Sequence, residues 1–227
     1  MRCALLFVLL ILTACGRPLT PNEVRFLHAM HGPALNPDQV RLVRGHPAAA
    51  ITTTRPVRPR LTCQERLYPP SKGETVTVAP GATTLFGTVL FRKDLYRDDF
   101  VPGFPDRIDV ADAMLLAHEM THVWQWQNRA LTGYHPLKAV SEHGASADPY
   151  LFDPDSPGRF LDYGYEQQGA VVEEYVCCQL LDPEAPRTER LRAMITEAMP
   201  MTRLDAVLGN PAVRLPWRGA ARRGICR

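Results

Sequence analysis

The pattern His118-Glu119-Met120-Thr121-His122 constrains this chain more than anything else in it. On a helix, two histidines four positions apart lie one above the other on the same face. The sequence permits that: Val110-Ala111-Asp112-Ala113-Met114-Leu115-Leu116-Ala117 is apolar and helix-favouring, and no Gly or Pro interrupts before Gly133. Both imidazoles can then turn toward one metal ion, with Glu119 one step round the same turn, beside the open coordination position. Zinc lowers the pKa of a bound water, and the glutamate takes its proton so that the water can attack a polarised carbonyl. His118 and His122 are therefore expected as zinc ligands, one ion per chain, and Glu119 as the catalytic base.

A zinc site needs a third protein ligand. A metzincin would place Gly three residues after the second histidine and a third histidine three beyond that, but these positions hold Gln125 and Asn128. The alternative is a carboxylate from a later helix. The run Glu166-Gln167-Gln168-Gly169-Ala170-Val171-Val172-Glu173-Glu174-Tyr175 is both helical and acidic on a partly apolar face. Glu166 is the favoured ligand and Glu173, two turns on, the other candidate. Whichever does not ligate is expected to hydrogen-bond a ligand histidine and fix its tautomer. His135, His143, Asp148 and Asp153 fall in loop sequence and rank behind these acids, whereas His28, His31 and His46 read as surface or locally bonded residues.

The first residues read as a processed leader. A short basic start is followed by the apolar run Ala4-Leu5-Leu6-Phe7-Val8-Leu9-Leu10-Ile11-Leu12, too short to span a bilayer. Leu12-Thr13-Ala14-Cys15 is similar to a bacterial lipoprotein signal, so the expectation is a signal peptide over residues 1–14, removed on export, and lipidation of Cys15. Residues 15–20 would be the tether and residues 21–227 one domain, large enough for a single sizeable core. Gly16 rather than Asp after the cysteine points, in a Gram-negative cell, to the outer membrane facing the periplasm. The remaining Cys63, Cys177, Cys178 and Cys226 are disulfide candidates for an oxidising compartment. Neighbours Cys177 and Cys178 rarely bond to each other, so Cys63 and Cys226 should each lie near one of them. No C-x-x-C spacing supports a thiolate zinc site.

The formal net charge is +2, with acids and bases interspersed. No basic stripe or aromatic–basic alternation suggests nucleic acid, so membrane attachment is expected through lipid on Cys15. Along the chain, Pro21 to Met30 reads as a helix capped by Thr20, and 39–43 as a strand. The Pro-, Thr- and Arg-rich stretch 47–70 reads as an extended connection, and 75–78 and 84–91 as strands joined at Pro80-Gly81. Residues 97–109 and 134–159 read as loops, and helical periodicity returns over 160–181, 188–198 and 202–208.

Several of these segments carry a resemblance. The run from His118 to Gln127, together with Tyr163-Gly164-Tyr165-Glu166-Gln167-Gln168-Gly169 and Glu174-Tyr175, resembles a group of small bacterial zincin-like metallopeptidases often labelled Vgr-related. Tyr96-Arg97-Asp98-Asp99-Phe100, Leu19-Thr20-Pro21-x-Glu23 and Val40-Arg41-Leu42 are similar to further parts of that group. The resemblance implies an α+β, zincin-like fold, with a small sheet packed on the motif helix and on a second, ligand-bearing helix. It implies a zinc site but supplies no substrate, and two classes stay open: a zinc-dependent peptidase or amidase acting on peptide or protein, and an inactive zinc-stabilised module that serves envelope interactions. The lipoprotein signal departs from the group's usual members. In zincins an edge strand above the motif helix pairs with extended substrate, and 84–91 is the candidate here. Tyr163, Tyr165 and Tyr175 are candidates for a donor to the oxyanion, against packing as the commoner role of a buried aromatic, while Trp124 and Trp126 belong to packing or the cleft wall.

Overall fold

Thr20 opens helix α1 (Pro21–His31) with a reciprocal cap: its hydroxyl accepts from the Glu23 amide, and the Glu23 carboxylate accepts from the Thr20 amide. Glu23 is fully buried, and its oxygens also receive both terminal nitrogens of Arg17, each at 2.7 Å, and the Phe100 amide at 3.0 Å. One carboxylate thus ties the chain's start to the loop ahead of the motif helix. The computed structural model describes residues 16–146, 148–199 and 204–227. The expected signal peptide and Cys15 lie outside the described residues. Residues 16–20, expected as a tether, are instead fastened to the domain, because Arg17 exchanges backbone hydrogen bonds with Leu42 of strand β1 (Arg41–Arg44).

The stretch read as a connection over 47–70 contains β2 (Thr53–Pro56) and a short helix α2 (Cys63–Leu67). Then follow β3 (Thr75–Val78), β4 (Ala82–Leu85) and β5 (Thr88–Phe91). The expected hairpin at Pro80-Gly81 does not form. β3 pairs antiparallel with β2 in a separate ribbon, and the hairpin joins β4 to β5 through Phe86-Gly87. Phe86 takes φ of 59°, the positive value such a two-residue turn needs at its first position. Its ring is held on Trp126 at 4.6 Å, and Gly87 is required because a Cβ there would strike the Gln39 carbonyl. β5 also pairs in parallel with β1, giving the order β1-β5-β4 and leaving β4 at the edge.

β6 (Arg107–Asp109) leads directly into the motif helix α3 (Val110–Gln127). The Asp109 carboxylate caps α3 by accepting from the amides of Ala111 and Asp112. After α4 (Arg129–Thr132), a helix α5 (Pro136–Ala145) occupies the segment read as loop. α6 (Tyr165–Leu181), α7 (Pro186–Thr196), α8 (Leu204–Val207) and β7 (Ala212–Arg214), which pairs in parallel with β6, complete the chain. The architecture is α+β, with small sheets packed on helices. α3 lies between β4 and α6. Its face of Ala113, Leu116, Ala117, Met120, Val123 and Trp124 shares one core with Val171, Val172, Tyr175 and Val176 of α6.

α6 is held at both ends. Glu142 of α5 accepts from the amides of Tyr165 at 2.8 Å and Glu166 at 3.1 Å, which satisfies two of the N–H groups that a helix start leaves without partners. At the other end two disulfides, Cys63–Cys177 and Cys178–Cys226, bind it to α2 and to the C-terminal segment. Beside them the buried Glu174 accepts from the Cys63 amide and pairs with Arg187 at 3.1 Å. No helix among the described residues is long and apolar enough to cross a membrane.

Candidate metal centre

His118 and His122 are one turn apart on α3, and Glu166 stands in the first turn of α6 opposite them. All three are buried. The Nε2 atoms of the two histidines lie 3.2 Å apart, and Glu166 Oε2 lies 3.2 Å from His122 Nε2 and 3.4 Å from His118 Nε2. This near-equilateral triangle of donors can be tested against a metal. A tetrahedral ion with bonds of about 2.0–2.1 Å has ligand-to-ligand edges of roughly 3.3–3.4 Å. The triangle fits one face of that tetrahedron and leaves the fourth position open. The donor set, two imidazoles and one carboxylate, also suits a borderline divalent ion.

The titration of these groups shows the same strain for a cation. Burial alone would push the Glu166 carboxyl up, but His122 and the hydrogen bonds from His118, His122 and His143 outweigh it and hold the acid well below the usual carboxylate range. Burial likewise lowers the two histidines, yet Glu166, together with Glu173 beside His118, raises both above their ordinary value. The cluster thus favours positive charge between the two imidazoles and the carboxylate.

The remaining ring nitrogens are fixed from outside. His122 Nδ1 lies 2.9 Å from Gln125 Oε1. The Gln125 amide nitrogen donates to the Tyr165 carbonyl and to Gln168 Oε1, each at 3.0 Å, so its oxygen must face the histidine. Nδ1 therefore carries the proton in the neutral ring, which would leave the Nε2 lone pair free for a metal. His118 Nδ1 lies 3.4 Å from Glu173 Oε2, and the other Glu173 oxygen accepts from Gln64 of α2 at 2.9 Å. Glu173 is thus placed behind His118, in the orienting position rather than among the triangle's donors. Between Glu166 and Glu173, Gly169 faces the His118 ring. A Cβ there would come within 2.7 Å of the imidazole, so only glycine lets α6 pass this close.

Glu119 is buried beside the triangle, and one of its carboxylate oxygens accepts from the Thr84 hydroxyl at 2.8 Å. Thr84 belongs to the edge strand β4, so the residue next to the ligands is referenced to the sheet. Of the expected edge segment 84–91, only the part up to Leu85 is edge; β5 is the interior strand.

The tyrosines are placed differently from the expectation. Tyr165 donates its hydroxyl to the Gly133 carbonyl at 2.9 Å, Tyr163 packs on Phe152 and over Gly158, and Tyr175 is fully buried in the core. None is directed at the ligand triangle. The rings flanking it are Tyr150, 5.8 Å from the His118 ring, and Tyr134, 6.4 Å from the His122 ring. Burial, then the charges of Glu166 and Glu119, push both phenols up, so each stays a hydrogen-bond donor across the physiological range. His143 was also misplaced by reading 134–159 as loop. It sits on α5 with Nε2 3.0 Å from Glu166 Oε1, the oxygen outside the triangle. Cys63, Cys178 and Cys226 lie close enough together to suggest a second metal cluster, but their sulfurs are bridged and offer no thiolate.

Neither a protein-family model nor a curated protein matches this chain. Among solved structures, the effector domain of Pseudomonas aeruginosa VgrG2b is similar in fold, with a TM-score of 0.52 and 22% sequence identity. The match covers 79% of this chain and 83% of that one. It is consistent with the Vgr-related resemblance drawn from the motif segments.

Proposed function

We propose that this chain is a zinc-dependent hydrolase of the zincin type, a peptidase, held by His118, His122 and Glu166 and anchored at the bacterial envelope through Cys15. The observation that carries the reading is the donor triangle, together with a carboxylate beside it that is not one of the ligands. When bound there, zinc supplies a Lewis acid for a substrate carbonyl and acidifies a water. The other steps fall to the chain's own groups. Glu119, steadied by Thr84, takes the proton of the attacking water and delivers it to the leaving amine. Tyr134 and Tyr150 flank the ligands as protonated phenols and supply donors for charge developing on the carbonyl oxygen. Glu173 and Gln125 keep both imidazoles oriented throughout. A solely structural site has no use for Glu119 and gains from closing its fourth position. The envelope location rests on the sequence of residues 1–15 and on the paired cysteines, which suit an oxidising compartment.

The test is Glu119→Gln. The substitution keeps shape and the Thr84 contact but removes the base, so zinc content should remain at one per chain while hydrolysis of a mixed peptide library falls by about a hundredfold or more. Equal activity in wild type and variant, or none in either with zinc bound, would favour the zinc-stabilised interaction module instead.

A further inference from the structure

The ligand triangle opens on one side into a cleft of about 490 Å³, walled by β2, the end of β3, the start of the edge strand β4 and Ser146, Asp148, Pro149 and Tyr150. Two arginines line it, Arg55 on β2 and Arg58 just beyond. Their situations differ. Arg58 is fully committed: it grips Asp148 with two nitrogens at 2.5 and 2.6 Å, lies 3.6 Å from Glu65, and covers the Tyr150 ring at 5.5 Å. Arg55 has no such partner. One terminal nitrogen donates to its neighbour's carbonyl at Pro56, and the same atom stands 3.6 Å from Asp148, beyond hydrogen-bond reach of a carboxylate already engaged by Arg58. Among the described residues its Nε and second terminal nitrogen donate to no acceptor. Burial, then the like charge of Arg58, lower its pKa, with Asp148 and Glu65 offsetting only part of that, although a guanidinium stays charged throughout.

Arg58 lies against Tyr150, and Tyr150 against His118, so Arg58 stands one ring away from the metal ligands along the cleft wall, with Arg55 across Asp148 from it. We infer that Arg55 is a substrate-recognition residue: its fork receives a carboxylate of a peptide lying in the cleft, at a fixed distance from the bond that is cut. The inference rests on the peptidase reading and narrows it to peptides that carry an acid, either an Asp or Glu side chain or a chain terminus. A planar fork with two unengaged donors suits a carboxylate better than a neutral amide, and Arg58 with Asp148 holds the wall in place without consuming that fork.

The probe is a mixed library of eight-residue N-acetylated peptides in which each position carries Glu or Gln, prepared once with free and once with amidated C termini. The zinc-loaded exported protein and its Arg55→Gln and Arg55→Lys variants digest it, and products are read by mass spectrometry. Binding of the same peptides is measured on the Glu119→Gln protein with and without Arg55→Gln. The expected result is a preference of about tenfold or more for acid at one fixed distance from the cut. Arg55→Gln should abolish it and Arg55→Lys retain it in part, with zinc content unchanged. Preference in the amidated set identifies a side-chain carboxylate; preference confined to the free-terminus set identifies the chain end. Cleavage without acid preference, or a preference that survives Arg55→Gln, overturns the assignment while leaving the peptidase reading standing. Arg55-dependent binding of acidic peptides without cleavage by wild type upholds the anion site and removes the peptidase reading. Neither binding nor cleavage overturns both.

Discussion

Two histidine-bearing regions face Glu166 from opposite sides, and they are built on opposite principles. α3 meets α6 in the core, and each imidazole there has its far nitrogen faced by a partner, His122 hydrogen-bonded to Gln125 and His118 3.4 Å from the Glu173 carboxylate. α5 lies at the surface, with Leu137 74% and Val140 63% exposed and the His143 side chain 44% exposed. Its contacts with the site include the Glu142 cap on α6, the hydrogen bond from His143 to the outer oxygen of Glu166, and the packing of the His143 ring on Tyr150 at 5.7 Å. A ligand must be held to within a fraction of an ångström, which requires packed helices and neighbours that lock rotamers. A group on a peripheral helix can approach and withdraw. The contrast assigns metal holding to α3 with α6, and leaves α5 a supporting part.

The largest effects should follow from breaking the α3–α6 side. His122→Ala removes a corner of the triangle and should abolish zinc retention through dialysis, a loss well beyond the roughly 10- to 100-fold typical of an orienting partner. Gln125→Leu and Glu173→Gln should each fall inside that lower range, measured as zinc affinity against a competing chelator. Gly169→Ala belongs with them, since the new methyl group must push the His118 ring aside. If Gly169→Ala binds zinc like wild type, the close passage of the two helices is not what positions His118.

A smaller effect tests how α6 is anchored at its far end. Burial raises the Glu174 carboxyl to about 7, against partial relief from the Cys63 amide and Arg187. An acid whose folded pKa exceeds its unfolded value binds its proton more tightly when folded. Its contribution to stability is therefore fully present below about 4.5 and is lost as pH rises through 7. The stability difference between pH 5 and pH 8 should include roughly 2 to 3 kcal/mol from this group. Denaturant titrations of wild type and Glu174→Gln should differ in slope against pH in that window, the variant being flatter; parallel curves would remove the assignment.

The smallest effects should come from α5. His143→Ala should change zinc affinity only a few-fold, because the oxygen it touches lies outside the triangle. Leu137→Ser and Val140→Ser should alter stability by less than about 0.5 kcal/mol, as for other exposed sites. A His143→Ala protein that loses zinc as completely as His122→Ala would erase the distinction between the two regions.

The same contrast explains what the sequence could disclose. α3 was legible because its composition is helical throughout and its chemistry recurs at one-turn spacing. Glu166 was legible because few acids followed on a helical face, although nothing in the spacing separated it from Glu173; the crossing of α6 over α3 does that. α5 is hard to see in the sequence because Pro136 and Gly144 bracket a short run whose large apolar residues, Leu137 and Val140, face water, so periodicity marks no clear buried side. β2 was missed for a similar reason: Thr53-Thr54-Arg55-Pro56 lacks apolar alternation, and its pairing with β3 is set by the fold around it. Strand 84–91 was read as continuous because Phe86 is an ordinary strand residue, and its positive φ is compensated by a distant tryptophan. Gln125 carried a readable signal, standing one turn beyond His122. The choice of Tyr134 and Tyr150 over Tyr163 and Tyr165 carried none, since it depends on loop paths.

The central claim is that His118, His122 and Glu166 hold one metal ion while Glu119 and Glu173 do not. Zinc K-edge X-ray absorption on the zinc-loaded protein, with metal content measured in parallel for Glu166→Ala, tests it most directly. The account predicts one zinc per chain with two imidazoles and one carboxylate among nitrogen and oxygen neighbours at about 2.0–2.1 Å, no sulfur, and loss of the metal from Glu166→Ala. Sulfur in the shell, or an unchanged spectrum and full zinc content in Glu166→Ala, would contradict it.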